Sequence, residues 1–408
     1  MKILFIVPYT PNLVRVRPFN LIRHLSRQGH KVTVATLYSN AQEQKDLEQL
    51  KGEVHQVVAY PLPLWRSLWN SVAALPGRTP LQADYCWQPE LSQNISSLLA
   101  DGGQHFDVVH VEHLRGARYG LQINNAHSGM RVPVVWDSVD NITHLFKQSS
   151  VQSKRWINRW ITRFELARTA HYESWLVDQF QRVLVTSPND RQAFIDLRPG
   201  GDGHEKIQVL PNGVDLEYFT PAPQIEREPA TLIVSGKMSY HANITMAMVL
   251  AHEIMPLIWQ RLPEVRLLVV GKDPPPQIQS LADDSRIELT GTVPDIRPYL
   301  CRATLAVAPV QYGAGIQNKV LEAMACATPV ISSSQAISAL TAQPGVEIEV
   351  ADQPQDFAEK TISMLNDPER CERIGKAGLQ YVRRCHDWQN IVTRLAEIYR
   401  SAIVDGIN

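Results

Sequence analysis

The chain has little of what would mark several functional classes. Its five cysteines, Cys86, Cys301, Cys326, Cys371 and Cys385, are odd in number, scattered, and form no CxxC pair. That pattern argues against a disulfide framework or a zinc ribbon and predicts reduced thiols in a cytoplasmic compartment. The 40 Lys and Arg nearly cancel the 41 Asp and Glu, leaving a formal charge of −1. Nothing global therefore attracts nucleic acid, and an anionic partner must be met by a local patch. No run reaches the roughly 18 apolar residues expected of a membrane span. Ile3 to Val7 is too short for a signal-peptide core and stops at Pro8. The expectation is a soluble protein, or at most one attached peripherally to the inner face of the plasma membrane. The loop after the first apolar run also lacks GxGxxG, so the dinucleotide fingerprint is missing there. No short repeat and no low-complexity tract interrupts the chain.

What is present is an α/β rhythm. A chain of 408 residues exceeds what one core usually serves, so two domains are expected. Met1 to Val7 reads as a strand buried on both faces, followed by a loop, the helix-like FNLIRHLSRQGH and the strand KVTVATL. Further strands are VHQVVAY, FDVVHVEH, VPVVWDSVDN, RVLVTSPND and KIQVLPNG. PAPQIEREPA, Pro-rich and charged, is the clearest linker. A second series opens at TLIVSGKMSYHAN and continues through RLLVVGK, RIELTGTVPD, TLAVAPVQYG and EIEVAD. The predicted division is 1–221, 222–385 and a carboxy-terminal helix over 386–408. The predicted fold is two Rossmann-like domains facing a cleft.

One stretch concentrates chemistry. In QYGAGIQNKVLEAMACATPV (311–330), Gly313-Ala314-Gly315 feeds a helix and then a core strand. Such a turn leaves backbone N–H groups aimed at one point with the positive helix end behind them, which is an anion site. Lys319 and Glu322 lie three apart and share a helix face. The lysine can offset phosphate charge and the glutamate can accept from a sugar or ribose hydroxyl. In the amino-terminal half, His110, Glu112, His113, Asp137 and Asp140 fall at the carboxyl ends of predicted strands, where open α/β sheets bind ligands. Arg15 and Arg17 in the first loop are candidates to face an anion. Residues 151–170 repeat Trp156, Trp160, Phe164 and Arg155, Arg159, Arg163 every four positions. That basic amphipathic pattern suits an anionic membrane surface, or a domain helix with its aromatics in the core.

With those motifs in view, the chain resembles the retaining GT4 glycosyltransferases of GT-B fold. The resemblance rests on PNGVD-x-x-x-F, SGKM, VVG, GTVPD and KVLEAMACATPV, with weaker matches at RHLSRQGHKVTV and FDVVHVEH. In detail it is similar to exopolysaccharide (PEP-CTERM-associated) sugar transferases, through SGKMSYHAN and GAGIQNKVLEAMA. The resemblance implies that Gly236 and Lys237 meet the donor diphosphate and that Glu322 holds the donor ribose. It implies that Gly313, Gly315, Ile316, Gln317 and Asn318 form the turn contacting donor phosphate and sugar, and that Val293 lies beside the nucleobase. It also implies metal-independent chemistry, and no DxD with a metal cage is found. Three positions depart from the family pattern. The first glutamate of its E-x7-E pair falls at Ala314. Its second lysine falls near Ala242 or Asn243, so that Lys319 is expected to supply that charge. Its amino-lobe histidine is replaced by Asp137, which is expected to orient or deprotonate an acceptor hydroxyl.

The implied function is transfer of a sugar from a UDP- or GDP-sugar to a hydroxyl of a glycan or lipid-linked acceptor in polysaccharide or cell-envelope biosynthesis. Nucleic acid has no part in it. The alternatives are a nucleotide-sugar epimerase and an inactive nucleotide-sugar-binding relative, the latter motivated by Ala314 and Asp137.

Overall fold

A computed structural model describes residues 1–12, 15–100, 105–126, 132–152, 156–312 and 316–407. Gly313, Ala314, Gly315 and Arg155 lie outside the described residues, as do the side chains of Trp156, Arg159, Trp160 and Arg163. The chain forms two units, Met1–Pro211 with Ile391–Asn408, and Asn212–Asn390.

The first unit is built on a parallel sheet of β1 (Lys2–Val7), β2 (Lys31–Tyr38), β3 (Gln56–Pro61), β4 (Val108–Glu112), β5 (Val134–Val139), β6 (Arg182–Val185) and β7 (Ile207–Val209). The order across the sheet is β3-β2-β1-β4-β5-β6-β7. Ile3 to Val7 are fully buried, as a continuous apolar run covered on both faces requires. The strand order reverses between β1 and β4, whose register pairs Phe5 with His110. Residues just past Val7 and Glu112 therefore stand at the topological switch point, where ligands bind in such sheets.

The second unit repeats the plan with β8 (Glu228–Ser235), β9 (Arg266–Val270), β10 (Ile287–Gly291), β11 (Ala303–Ala308), β12 (Val330–Ser332) and β13 (Glu349–Val350). Its order is β10-β9-β8-β11-β12-β13, all neighbours parallel. Here the reversal lies between β8 and β11. The exits of those two strands carry the SGKM turn and the 311–318 stretch.

Three expectations are corrected. The units divide at Pro211/Asn212 rather than at 221/222. The PNGVD segment already belongs to the second unit, because Val214 N donates to His386 O at 2.8 Å and Phe219 packs on the second core. For the same reason residues 386–390 stay with the second unit, and the first gains only Ile391 onward. There Tyr399 and Ala402 are fully buried and Gln28 Nε2 donates to Thr393 Oγ1 at 3.0 Å. Second, one helical run, His241–Trp259, is long and apolar enough to cross a membrane by length and composition. Half of it is buried, with Met246, Leu250, Ile254 and Ile258 in the second core, as in a core helix. Third, 151–170 is not one helix but the end of Ile142–Gln152 and the start of Trp156–Gln179, and Phe164 is exposed rather than in the core.

The ends of β8 and β9 approach so closely that a Cβ on Gly271 would lie 1.7 Å from the Gly236 carbonyl oxygen. Gly271→Ala is therefore expected to destabilise the second unit by about 1–3 kcal/mol, read as a lowered urea midpoint. Gly52→Ala, in ordinary helical backbone with its nearest neighbour at 3.6 Å, should stay within about 0.5 kcal/mol of the parent.

Candidate functional site

In the second unit, β8 ends at Ser235 and the chain turns through Gly236 at φ 146°, a conformation open to glycine. Two bonds tie this turn to the exit of β9, Gly236 N to Val270 O at 3.1 Å and Met238 N to Lys272 O at 2.9 Å. They leave Lys237 exposed at its tip. Asn243, buried in the following helix His241–Val249, then acts as a clasp. Its Nδ2 donates to Lys237 O at 3.0 Å, and its Oδ1 accepts from Lys319 Nζ at 2.7 Å. The lysine missing near Ala242 or Asn243 is thus compensated in space: Lys319 brings an ammonium group to Asn243 from 76 residues away.

Lys319 is the second residue of helix Asn318–Ala325, which starts at Gln317 with no side-chain cap and no acidic residue in its first turn. A cation at the positive end of a helix opposes the dipole, so this end is arranged for a negative charge that the protein does not itself supply. Gln317 Oε1 accepts a second bond from Lys319 Nζ at 3.2 Å. Burial pushes the Lys319 ammonium down to about 8, with Glu322 opposing the shift. Burial likewise pushes the Glu322 carboxyl up to about 7, with Lys319 opposing. Ile316 is buried in the core, Asn318 is exposed, and Val293, just past β10, is half-buried against the same core. Sequence reasoning missed Tyr312, whose hydroxyl meets His241 Nδ1 and lies 3.0 Å from Thr245 Oγ1. Its partners are 71 and 67 residues away, and no local pattern connects them.

The first unit gathers its candidates around the switch point, though not in the roles expected. Asp137 and Arg17 are corrected. Asp137 is fully buried, and its Oδ2 accepts from Arg17 Nε at 3.0 Å and Nη2 at 2.7 Å. Its Oδ1 accepts from Val139 N at 3.1 Å. With no solvent exposure it does not meet an acceptor hydroxyl, and Arg17, also buried, faces Asp137 rather than a ligand. Burial raises the Asp137 carboxyl and Arg17 pulls it back; a guanidinium keeps its proton, so the two remain an ion pair. His110 stacks on Phe5 with ring centroids 4.0 Å apart and shares a 2.8 Å bond with the hydroxyl of Tyr399. Burial first, and Arg17 second, lower its pKa well below the usual range, so this histidine is neutral.

Glu112 accepts from Tyr9 at Oε1, 2.9 Å away. Its Oε2 is buried and has no hydrogen-bond partner among the described residues. Burial, then Asp137, push its carboxyl up to about 8, so it is protonated at neutral pH and able to donate. His113, half-buried at φ 64°, donates its N–H to Asp137 O at 2.6 Å. Burial, then Arg115, lower its pKa to about 3. Asp140 accepts from Thr186 Oγ1 at 3.2 Å and is pushed up to about 6 by burial and then by Asp190. Arg15 is half-exposed, paired with Glu43 at 3.0 Å and laid over the Tyr9 ring. The first unit thus combines the buried Arg17–Asp137 pair, neutral Glu112 and His113, and the Asp140 carboxyl, which at about 6 is mostly ionised at neutral pH. Among the described residues no group of three or more His, Cys, Asp or Glu is placed to hold a metal ion.

Comparison with known proteins places both units. The family model described as Glycosyltransferase Family 4 matches residues 14–218, and that described as Glycosyl transferases group 1 matches 229–367. A glycogen synthase of Mycobacterium tuberculosis is 27% identical over 251 residues, 58% of this chain and 58% of that protein. A phosphatidyl-myo-inositol mannosyltransferase of the same organism is 26% identical over 217 residues, 50% of this chain and 56% of its own length. The matches thus span under two thirds of these relatives. Among solved structures, sucrose-phosphate synthase of Thermosynechococcus elongatus aligns with TM-score 0.66 at 18% identity, covering 99% of this chain and 100% of its own. Anabaena HepE, solved with UDP and glucose, aligns with TM-score 0.65 at 17% identity over 98% and 100%. At such identities the likeness is one of fold, and the fold is the two-domain GT-B arrangement.

The Glu112 carboxyl titrates near 8 in the folded chain against 4.5 ordinarily. Between those values the folded state holds a proton that the unfolded state has lost, so stability falls as pH rises from about 5 to about 8. Glu112→Gln is expected to remove on the order of 2 kcal/mol of that fall, measured as the difference in unfolding midpoint between pH 5 and pH 8 for variant and parent.

Proposed function

Because the chain belongs to the family 4, group 1 glycosyltransferases, we propose that it moves a sugar from a nucleotide-sugar donor to a hydroxyl of a glycan or lipid-linked acceptor. The setting we propose is polysaccharide or cell-envelope assembly on the cytoplasmic side of the membrane, which the five free cysteines support. The observation that carries the reading is the Asn243 clasp, which holds the Lys319 ammonium beside the Gly236–Lys237 turn.

In transfer, the bond from the anomeric carbon to the diphosphate oxygen breaks, one to the acceptor oxygen forms, and the acceptor hydroxyl's proton passes to the departing diphosphate oxygen. Negative charge grows on the departing diphosphate. Lys319, Lys237 and the uncapped N–H groups of helix Asn318–Ala325 are preorganised to meet it. An arriving diphosphate raises the Lys319 pKa and keeps the ammonium charged. Glu322, one turn along, accepts from the donor ribose. These fixed cations do what a metal ion would otherwise do, which supports chemistry without one. In the first unit the half-buried His113 and Asp140 receive the acceptor hydroxyls. Asp137, held by Arg17, positions His113 through its backbone. We propose retention of anomeric configuration on the strength of the family resemblance, and a UDP- or GDP-sugar as donor.

A thermal-shift screen against UDP, GDP, ADP and dTDP and their sugars tests the donor. A ligand at about a hundred times its dissociation constant adds roughly 2.7 kcal/mol of stability. UDP is the first arm, since Anabaena HepE was solved with it. One nucleotide is expected to stabilise the parent and to lose that effect in Lys319→Ala. With the matching sugar donor, Lys319→Ala and Glu322→Ala should each lower kcat/KM by about a hundred- to a thousandfold without lowering the unfolding midpoint. Unchanged turnover in both variants would remove the donor-site assignment. Proton NMR of the product should show the donor's anomeric configuration, and EDTA should leave the rate unchanged.

A further inference from the structure

Helix Leu64–Ala74 lies in the first unit with its amphipathic pattern turned inside out. Leu64, Trp65, Leu68, Trp69, Val72 and the following Leu75 are all exposed, Trp65 and Trp69 by 63% and 67%. The side facing the protein is small and polar. Ser67 and Ala74 are buried, and Asn70 Nδ2 donates to Trp87 O at 2.8 Å. The helix is also pinned at its far end. Arg168 Nη2 donates to the carbonyls of Ala74, Gly77 and Thr79 at 2.6, 2.7 and 2.7 Å, while the Arg168 guanidinium covers the ring of exposed Phe164 at 5.0 Å. The apolar face is therefore held outward by polar contacts behind it.

Two tryptophans at that exposure present on the order of 300 Å² between them. With the four aliphatic residues the face exceeds the few hundred Å² that monomeric proteins commonly leave open. The charge along the helix's own stretch of chain is of one sign. No Asp or Glu occurs between Glu53 and Asp84, where Arg66 and Arg78 stand. None occurs between Asp140 and Glu165 either, a stretch carrying Lys147, Lys154, Arg155, Arg159 and Arg163 in a chain of net charge −1. Glu165, one turn before Arg168, is buried and accepts from Leu81 N at 2.9 Å, and Asp84, on the following helix Leu81–Tyr85, is paired with Arg118 at 2.7 Å.

We propose that helix Leu64–Ala74 is a membrane-docking element that lies in the interface of an anionic lipid bilayer. Trp65, Trp69 and their aliphatic neighbours enter the headgroup–acyl boundary, and Arg66 and Arg78 meet lipid phosphates. Aromatic and aliphatic side chains on one face with flanking arginines are what such an interface takes up. A protein groove could accept the apolar face, but Arg66 and Arg78, with no acid between Glu53 and Asp84 and with Asp84 itself paired to Arg118, fit a surface that is negative over its whole extent. The proposal does not depend on the donor assignment, because every residue it uses lies in the first unit.

Co-sedimentation of the full chain with phosphatidylcholine vesicles, with and without about one third phosphatidylglycerol, tests it at low salt. The parent is expected to pellet with the anionic vesicles and to be released by high salt. Trp65→Ser/Trp69→Ser should weaken that partition by about tenfold or more. Arg66→Glu/Arg78→Glu should abolish the preference for anionic over neutral vesicles. The unfolding midpoint of each variant serves as the folding control. Failure of the parent to pellet with anionic vesicles would overturn the proposal, as would pelleting unchanged by the tryptophan substitutions. So would a concentration-dependent dimer that binds no vesicles and dissociates in the tryptophan variant, since a second copy would then cover this face.

Discussion

An ammonium group held at the positive end of an uncapped helix is the constraint on which the second unit's chemistry depends. Lys319 occupies a place that the helix dipole disfavours, is partly desolvated, and donates to the amide oxygens of Asn243 and Gln317. Those oxygens position the charge without neutralising it. Glu322 offsets the charge in part, yet burial favours the neutral forms of both groups. The diphosphate proposed as leaving group would relieve this frustration by supplying negative charge to the ammonium, the exposed Lys237 and the helix-start N–H groups together. The same arrangement that is unfavourable when empty is therefore complementary to a leaving group on which charge accumulates.

The first unit solves the opposite problem. Its full charges are placed inside and satisfied by each other, with Arg17 forked onto Asp137 and neutral His110 and Tyr399 packed beside them. Removing either partner of such a pair leaves a buried charge exposed to a low-dielectric interior, at a cost of several kcal/mol. Beside that pair are the buried, neutral carboxyl of Glu112 and the half-buried, neutral ring of His113. Hydroxyl groups are met best by such neutral donors and acceptors, and anions by the cations of the second unit. The proposed division of labour between donor and acceptor rests on this difference in charge placement.

Much of this was legible in the sequence. The apolar runs that cannot alternate, such as ILFIV and RLLVV, require strands covered on both faces, and every predicted strand is found. The Gly236–Lys237 turn and the Lys319–Glu322 pair could be read locally, because a turn residue and a helix face are matters of neighbouring positions. Domain boundaries were read less well: a Pro-rich linker near 222 is conspicuous, while the real change at Pro211 depends on which core Val214 and Phe219 join. The helix Leu64–Ala74 shows the same limit, since its periodicity is plain but the direction of its apolar face is not.

The sequence by itself thus determined the α/β class, the two series of strands and the place of a helix starting at Asn318, because each follows from spacing along a few residues. Only the tertiary structure decided that Lys319 stands in for a lysine absent near Asn243, and that Asp137 is a buried support for Arg17 and His113. It also decided that Tyr399 reaches His110. These are meetings of side chains separated by 76, 120 and 289 residues. Their chemistry is set by burial and by distance, and neither quantity exists until the sheets have formed.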